Sequence, residues 1–163
     1  MIEQGICLPS KSPLSSPLHF VPKKNGELRV CGDYRRLNSI TTPDRYPIPQ
    51  VKYLTHRLSD KTIFSNIDIN RAYQQIKVRD EDIEKTAIIT QMGLFKFPRM
   101  TPGLKNAGQT FQRFIHEVLH GLDFVFAFID DLLVASPDKE THETHLRTVL
   151  QRLEDNGITI NPS

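Results

Sequence analysis

The stretch "FAFIDDLLVAS", residues 126–136, sets two adjacent carboxylates, Asp130 and Asp131, inside an otherwise apolar run. Burying an ionised carboxylate costs several kcal/mol unless a cation compensates it, and no Lys or Arg lies close by in sequence. A third carboxylate, Asp68, ends the apolar run "TIFSNID". In a tight hairpin with Asp130-Asp131 as its turn, both side chains sit at the tip. A neighbouring strand ending in Asp68 would bring three carboxylates to one point. Their repulsion is relieved only by protonation or by cations. Hard divalent ions such as Mg²⁺ suit an all-oxygen site and keep positions open for substrate phosphates. Two such ions roughly 4 Å apart would activate a hydroxyl and stabilise a leaving oxygen in phosphoryl transfer. The bland alternative is a solvated hairpin tip and an unrelated aspartate at a helix start, because Asp is favoured in both places. Spacing alone leaves both open.

A second pattern points to different chemistry. "HEVLH" puts His116 and His120 one turn apart on a helix, with Glu117 as a general base, as in zinc metallohydrolases. Asp123 stands where the extended metzincin pattern needs glycine, and nothing singles out a third ligand among Glu140, His142 and Glu143. The simpler reading is a polar helix face with two histidines in solvent. "HETH", residues 142–145, has the wrong spacing and reads as an exposed helix face.

Positioning these residues takes a mixed set of elements. "SPLHFVPKKNGELRVCGDYRRLN" reads as a β-hairpin turning at Asn25-Gly26. "TTPDRYPIPQ", with three prolines in ten residues, is an extended connector. "VKYLTHRL" places Val51, Leu54 and Leu58 on one helical face. "TIFSNIDIN" is a strand with Phe64, Asn66 and Asp68 on one face, opposite Ile63, Ile67 and Ile69, and Asn70 can cap a short helix over "RAYQQI". "KTAIIT", "QMG" and "LFKF" form a second hairpin. "LKNAGQTFQRFIHEVLHGL" is an amphipathic helix with Phe111, Phe114, Ile115, Val118 and Leu119 inward, ending at Gly121. "FVFAFI" and "LLVAS" are strands, and Ser136-Pro137 opens a helix whose inner face carries Leu146, Val149, Leu150 and Leu153. "ITIN" begins one more strand. Without regular βαβα alternation, the pattern argues for an α+β fold with a largely antiparallel sheet.

A chain of 163 residues can bury a core as one domain or two small subdomains. The net charge of +2 is too small to announce a partner, although a local basic stripe would suffice for nucleic acid. Cys7 and Cys31 lack zinc-site spacing and read as reduced thiols. No leader or membrane-length apolar run is present, so the expectation is a soluble intracellular chain, or a piece of one.

"FIDDLLVAS" resembles the x-x-Asp-Asp motif of reverse transcriptases. The likeness extends through "VPKKNGELRVCGDYRRLN", "YPIPQ", "FSNIDINRAYQQI", "KTAIIT", "GLFKFPRM", "GLKNAGQTFQRF" and "GITINP". Their order is that of Pol polyproteins from gypsy-class LTR retrotransposons, and seven stretches in order leave little room for coincidence. The resemblance implies an RNA-directed DNA polymerase of right-hand architecture with an antiparallel palm sheet, truncated before the thumb. It implies fingers over residues 1–43 and 77–106, and palm over 44–76 and 107–163.

Carried over residue by residue, the resemblance makes Asp68, Asp130 and Asp131 the catalytic carboxylates. They would bind two Mg²⁺ ions, with Mn²⁺ as a substitute, helped by the backbone carbonyl of Ile69. Tyr73 would lie below the sugar of the incoming nucleotide and select dNTPs over NTPs. Arg29 and one of Lys23 or Lys24 would hold the triphosphate through charge-assisted bonds, with Pro102 also at the nucleotide. Arg35, Gly103 and Gln112 would touch template or primer. The implied partners are an RNA or DNA template with primer, dNTPs, and the thumb, connection and RNase H regions of a parent polyprotein, in a cytoplasmic particle or the nucleus and without a membrane. Without a thumb, the isolated chain should extend primers poorly.

Three departures stand out. Thr101-Pro102 replaces the family's Pro-Phe, Gly108 stands where Pro or Ala is typical, and Gly32 replaces a branched residue at an expected loss of packing. These fit a working enzyme, a decayed copy, or a domesticated non-catalytic nucleic-acid-binding module.

Overall fold

The computed structural model describes residues 5–22, 26, 28–49 and 55–162. Lys23, Lys24 and Asn25 of the expected hairpin turn, and Val51 and Leu54 of the expected helix face, lie outside the described residues. The elements in chain order are β1 (Leu8–Pro9), β2 (Ser16–Pro22), β3 (Leu28–Gly32), α1 (Arg35–Ile40), α2 (Thr55–Leu58), β4 (Ile63–Asp68), α3 (Asp80–Ile83), β5 (Ile88–Thr90), β6 (Gly93–Lys96), α4 (Ala107–Val118), β7 (Val125–Phe128), β8 (Asp131–Ser136) and α5 (Lys139–Asp155). They divide between two compact units: Met1–Pro43 with Tyr73–Ala107, and Asp44–Ala72 with Gly108–Ser163.

Unit 1 is built on a five-stranded sheet in the order β1-β6-β5-β2-β3. The β2–β3 hairpin pairs Leu18 with Gly32 through Pro22 with Leu28, and β5–β6 is a second hairpin. A parallel pairing of β2 with β5 joins the two, and β1 adds to β6. Tyr73 belongs to this unit because Ile76 N donates to Tyr73 O, Met100 N to Ile76 O and Val78 N to Pro98 O. The boundary between the compact units falls after Ala72. The core is Ile6, Cys7, Tyr34, Ile88 and Phe97. Tyr34, 2% exposed, donates its hydroxyl to Thr86 O at 2.9 Å.

The expected packing loss at Gly32 does not occur. A Cβ there would lie 2.7 Å from Tyr34 Cζ and 2.9 Å from Ile88 Cγ2, so the tyrosine ring already occupies the space a side chain would need.

Unit 2 is a three-stranded antiparallel sheet in the order β4-β8-β7. Side chains alternate along its strands. One set, including Ile67, Leu132, Val134, Val125 and Ala127, is buried with Phe111 and Ile115 of α4 and Val149 and Leu153 of α5. The helix α5 starts at the N-cap Asp138, whose carboxylate accepts from Thr141 N at 2.8 Å.

Several expectations need correction. The segment over "RAYQQI" is a 3₁₀ turn, Ala72–Gln75, not an α-helix. Residues 158–161 form only an isolated bridge, Ile69 with Ile160, rather than a strand. Leu150 is exposed, and His142 is buried. "HETH" is therefore no exposed face. The His142 ring spans Ser136 Oγ and Ser65 Oγ at 2.8 Å each, and Ser136 Oγ also lies 2.8 Å from His145 Nδ1. His145 stacks on Phe124 with centroids 3.6 Å apart, and burial pushes its pKa below the usual histidine value. A serine hydroxyl both donates and accepts, so it can serve both rings where a hydrophobic residue could not.

Cys7 and Cys31 are free thiols. Among the described residues no helix is long and apolar enough to cross a membrane.

Candidate functional site

The carboxylates lie at one end of the unit 2 sheet. Directly paired residues in antiparallel strands share a face, so the register sets Asp68, Asp131 and Phe128 in one row. Asn66, Leu133 and Phe126 form the next row, and Phe64 pairs with Ala135. The three aspartates, Phe64, Asn66 and Phe128 are exposed.

The turn is not Asp-Asp as the sequence suggested. Asp131 already pairs in β8, and the two-residue turn is Ile129-Asp130. The turn is tied to the neighbouring strand because Ile69 N donates to Asp130 O at 2.9 Å.

Like charges paired directly across strands destabilise a sheet. Here neutral amides engage both members of the pair. Asn66 Nδ2 donates to Asp131 Oδ1 at 3.3 Å, Asn161 Nδ2 donates to Asp68 Oδ2, and Asn161 N donates to Asp68 O at 2.9 Å. Among the described residues no three His, Cys, Asp or Glu side chains form a group that could hold a metal ion. The backbone thus brings the aspartates to one edge, and their side chains do not close on a common point. As donors they are hard oxygens, the type that divalent cations of the Mg²⁺ class prefer.

Backbone strain accumulates at this edge. Among the described residues the non-glycine positions with positive φ are Arg71 at 46° and Ile129 at 54°. One lies three residues after Asp68 and the other directly before Asp130. A β-branched residue in this region costs roughly 1–3 kcal/mol and persists only where surrounding structure imposes it.

Gln112 imposes part of it. It was expected at the template or primer, but it is 0% exposed and points into unit 2. Its Oε1 accepts from Ile129 N at 2.8 Å, and its Nε2 donates to Ala127 O at 3.0 Å. The same Nε2 lies 2.8 Å from His116 Nε2, and His116 Nδ1 lies 2.9 Å from Tyr46 Oη. Burial pushes the His116 pKa below its usual value. Both ring nitrogens are therefore engaged within the protein, which leaves neither for zinc, and the "HEVLH" pattern loses its first ligand. The exposed polar face is only half right as well: His120 is exposed, His116 is not.

The remaining expected residues fall as follows. Ile69 is 2% exposed. Tyr73 is half-buried in the 3₁₀ turn of unit 1. Arg29 sits in β3 opposite Val21. Arg35 is exposed and forks onto Asp33 at 2.6–3.1 Å, which holds the Asp33 carboxyl at about 2. Gly103, at φ 93°, accepts from Asn38 Nδ2 at 2.8 Å. Its neighbour Pro102 is exposed.

Sequence reasoning missed Asn161 and the inward role of Gln112. Asn66 is legible in the sequence, two residues before Asp68 on the same strand face. Asn161 lies within "GITINP", but nothing in the sequence sets it beside Asp68, since its place depends on a bridge between distant segments.

Residues 21–163 match the family described as reverse transcriptase (RNA-dependent DNA polymerase). The chain belongs to that family. It is 39% identical over 168 residues to a retrovirus-related Pol polyprotein from transposon opus of Drosophila melanogaster, covering 99% of this chain and 17% of that protein. It is 35% identical over 162 residues to the transposon Tf2-3 polyprotein of Schizosaccharomyces pombe, covering 98% of this chain and 12% of that one. Among solved structures, a foamy viral protease–reverse transcriptase in complex with double-stranded DNA superposes with a TM-score of 0.91 at 19% identity, over 98% of this chain and 28% of that chain. A crystal structure of prototype foamy virus protease–reverse transcriptase gives 0.85 at 22% identity, over 98% and 21%. The α+β fold is accordingly that of the fingers and palm of a reverse transcriptase.

Proposed function

We propose that this chain supplies the fingers and palm of an RNA-directed DNA polymerase that adds dNTPs to a primer 3′-hydroxyl opposite an RNA or DNA template. The observation that carries the reading is the register: a strand ending in Asp68 pairs directly with Asp131, and Asp130 sits in the adjoining turn. Catalysis of this kind rests mainly on positioning and charge neutralisation. Asp68, Asp130 and Asp131, with the carbonyl of Ile69, would hold two divalent cations of the Mg²⁺ class. When bound, such ions lower the pKa of the attacking hydroxyl and offset charge on the transferring phosphate.

The chain's own residues set the geometry. Asn66 and Asn161 hold the Asp131 and Asp68 side chains until a stronger partner displaces them. The exposed face of Phe64, Asn66 and Phe128 is the surface on which a primer end would lie. Arg29 and Lys23 or Lys24 would bind triphosphate, and Tyr73 would exclude a 2′-hydroxyl. Arg35 would exchange Asp33 for a template or primer phosphate, next to Gly103. A gypsy-class element is the parent that best suits the motif order.

A segment swap tests this. This chain replaces the matching stretch of the opus Pol polyprotein, and the chimera is assayed for primer extension on an RNA template. Extension that disappears in Asp130→Asn supports the reading. An inactive but folded, template-binding chimera would point to a decayed or domesticated module instead.

A further inference from the structure

We propose that Gln112 is a positioning residue for Asp130, locked in one orientation by neutral His116, so that a proton on His116 releases the Ile129-Asp130 turn. The inference rests on reading Asp130 as a catalytic carboxylate.

Ala127 O can only accept and Ile129 N can only donate, so Gln112 must turn Nε2 to the first and Oε1 to the second. One amide hydrogen remains, and the atom 2.8 Å away is His116 Nε2. That nitrogen must accept. The ring proton therefore resides on Nδ1, where it donates to Tyr46 Oη at 2.9 Å. Each polar atom along this path has a partner, and no other tautomer satisfies all of them.

A second proton reverses one link. On Nε2 it would face the amide hydrogen of Gln112, donor against donor. Flipping the amide cures that clash only by setting Nε2 of Gln112 against Ile129 N, again donor against donor. The alternative is that the ring swings away, and a cavity of about 290 Å³ lies beside it, lined by Pro49, Arg57, Leu119 and Phe126 among others. The flip removes the bond that holds the 54° φ of Ile129, and a swung ring removes the histidine that locks Gln112 in the orientation Ile129 requires.

The charged surroundings do not favour the imidazolium. The ring of Tyr46, whose hydroxyl accepts from His116, lies 4.7 Å below the Arg113 guanidinium, which is paired with Asp44 at 2.6 Å. Across the cavity Arg57 stacks on Phe126 at 4.7 Å and reaches Asp123 at 3.8 Å. Glu117 of the same helix and His120 in the turn after it are exposed. Burial likewise lowers the His116 pKa, so the lock is closed at neutral pH and opens on acidification.

Nuclear magnetic resonance of this chain tests the coupling. Isoleucine is labelled with ¹⁵N and histidine with ¹³C, and Ile129→Val assigns the Ile129 amide. The expected result is that the Ile129 amide shift and the His116 ring shift change together, with one midpoint below the usual histidine range. In His116→Gln, which keeps an acceptor but cannot take the proton, the Ile129 amide should stay constant over the same range. A stationary Ile129 amide while wild-type His116 titrates would overturn the proposal, as would a His116 that stays neutral until the protein unfolds. Both are read on the wild type, so an unfolded variant does not remove the test. Mn²⁺ added at neutral pH separates the underlying reading: failure to broaden the Ile69 and Ile129 amides would sink the metal site while leaving the hydrogen-bond chain standing.

Discussion

Gly32→Ala should destabilise the protein, although glycine in a strand is ordinarily a weakness. The added Cβ would lie 2.7 and 2.8 Å from Tyr34 Cζ and Cε2 and 2.9 Å from Ile88 Cγ2, all closer than non-bonded carbon atoms tolerate. Relief requires the Tyr34 ring to move, but its hydroxyl is bonded to Thr86 O and its neighbours Ile88 and Phe97 are buried. Overpacking of this kind costs about 1–3 kcal/mol, and a stretched buried hydrogen bond adds about 1 kcal/mol. Recovery of the glycine's backbone entropy offsets about 0.5–1 kcal/mol of this. The net loss is about 1–3.5 kcal/mol, which corresponds to a fall in Tm of about 2–14 °C for a chain of this size. Gly108→Ala is the matched control, because a Cβ there meets Ile48 Cδ1 at an ordinary 3.5 Å inside α4. It should gain roughly 0.5 kcal/mol from helix propensity. Urea and thermal unfolding followed by circular dichroism measure both. A further variant, Gly32→Ala with Tyr34→Leu, should lose less than the sum of its parts, since the residues share one space. A neutral or stabilising Gly32→Ala would refute the packing argument and return Gly32 to the list of decay signs.

Two more outcomes follow from electrostatics. The pKa values of His116 and His145 lie below their ordinary value, chiefly through burial. The unfolded chain therefore takes up protons first, and stability should fall as pH drops from about 6.5 toward the lower folded values. His116→Gln should blunt that slope in unfolding experiments run at several pH values; an unchanged slope would show that His116 does not contribute. Arg35→Ala should reduce the salt dependence of template–primer binding by about one unit in the log–log slope if its guanidinium meets a phosphate. An unaltered slope would place the duplex elsewhere.

Alternation made much of the fold legible. Phe64, Asn66 and Asp68 are exposed on one face of β4 as the spacing required, because a half-buried strand sorts residues by parity. The β2–β3 and β5–β6 strand pairs were visible as apolar runs in the sequence. What escaped depended on long-range partners. The parallel pairing of β2 with β5 leaves no local signature. The turn was placed one residue late because Asp-Asp has better turn chemistry than Ile-Asp, and tertiary bonds from Gln112 and Ile69 override that preference. His142 looked solvated since histidine on a helix is usually exposed, and two serines on neighbouring strands, Ser65 and Ser136, supply the hydrogen bonds that let it be buried. At the site the three aspartates were legible, while the amides that hold two of them were half so: Asn66 by strand parity, Asn161 not at all.

Iron-directed cleavage is the most direct test of the claim that Asp68, Asp130 and Asp131 form one cation site. Fe²⁺ stands in for the native ion, hydroxyl radicals cut the backbone beside it, and the fragments are mapped with and without template–primer and dNTP. Cuts should cluster near residues 68 and 130–131, sharpen with substrates, and vanish in Asp130→Asn. Cuts centred on residues 116–120, or none above background, would contradict a carboxylate metal site and with it the polymerase reading of this chain.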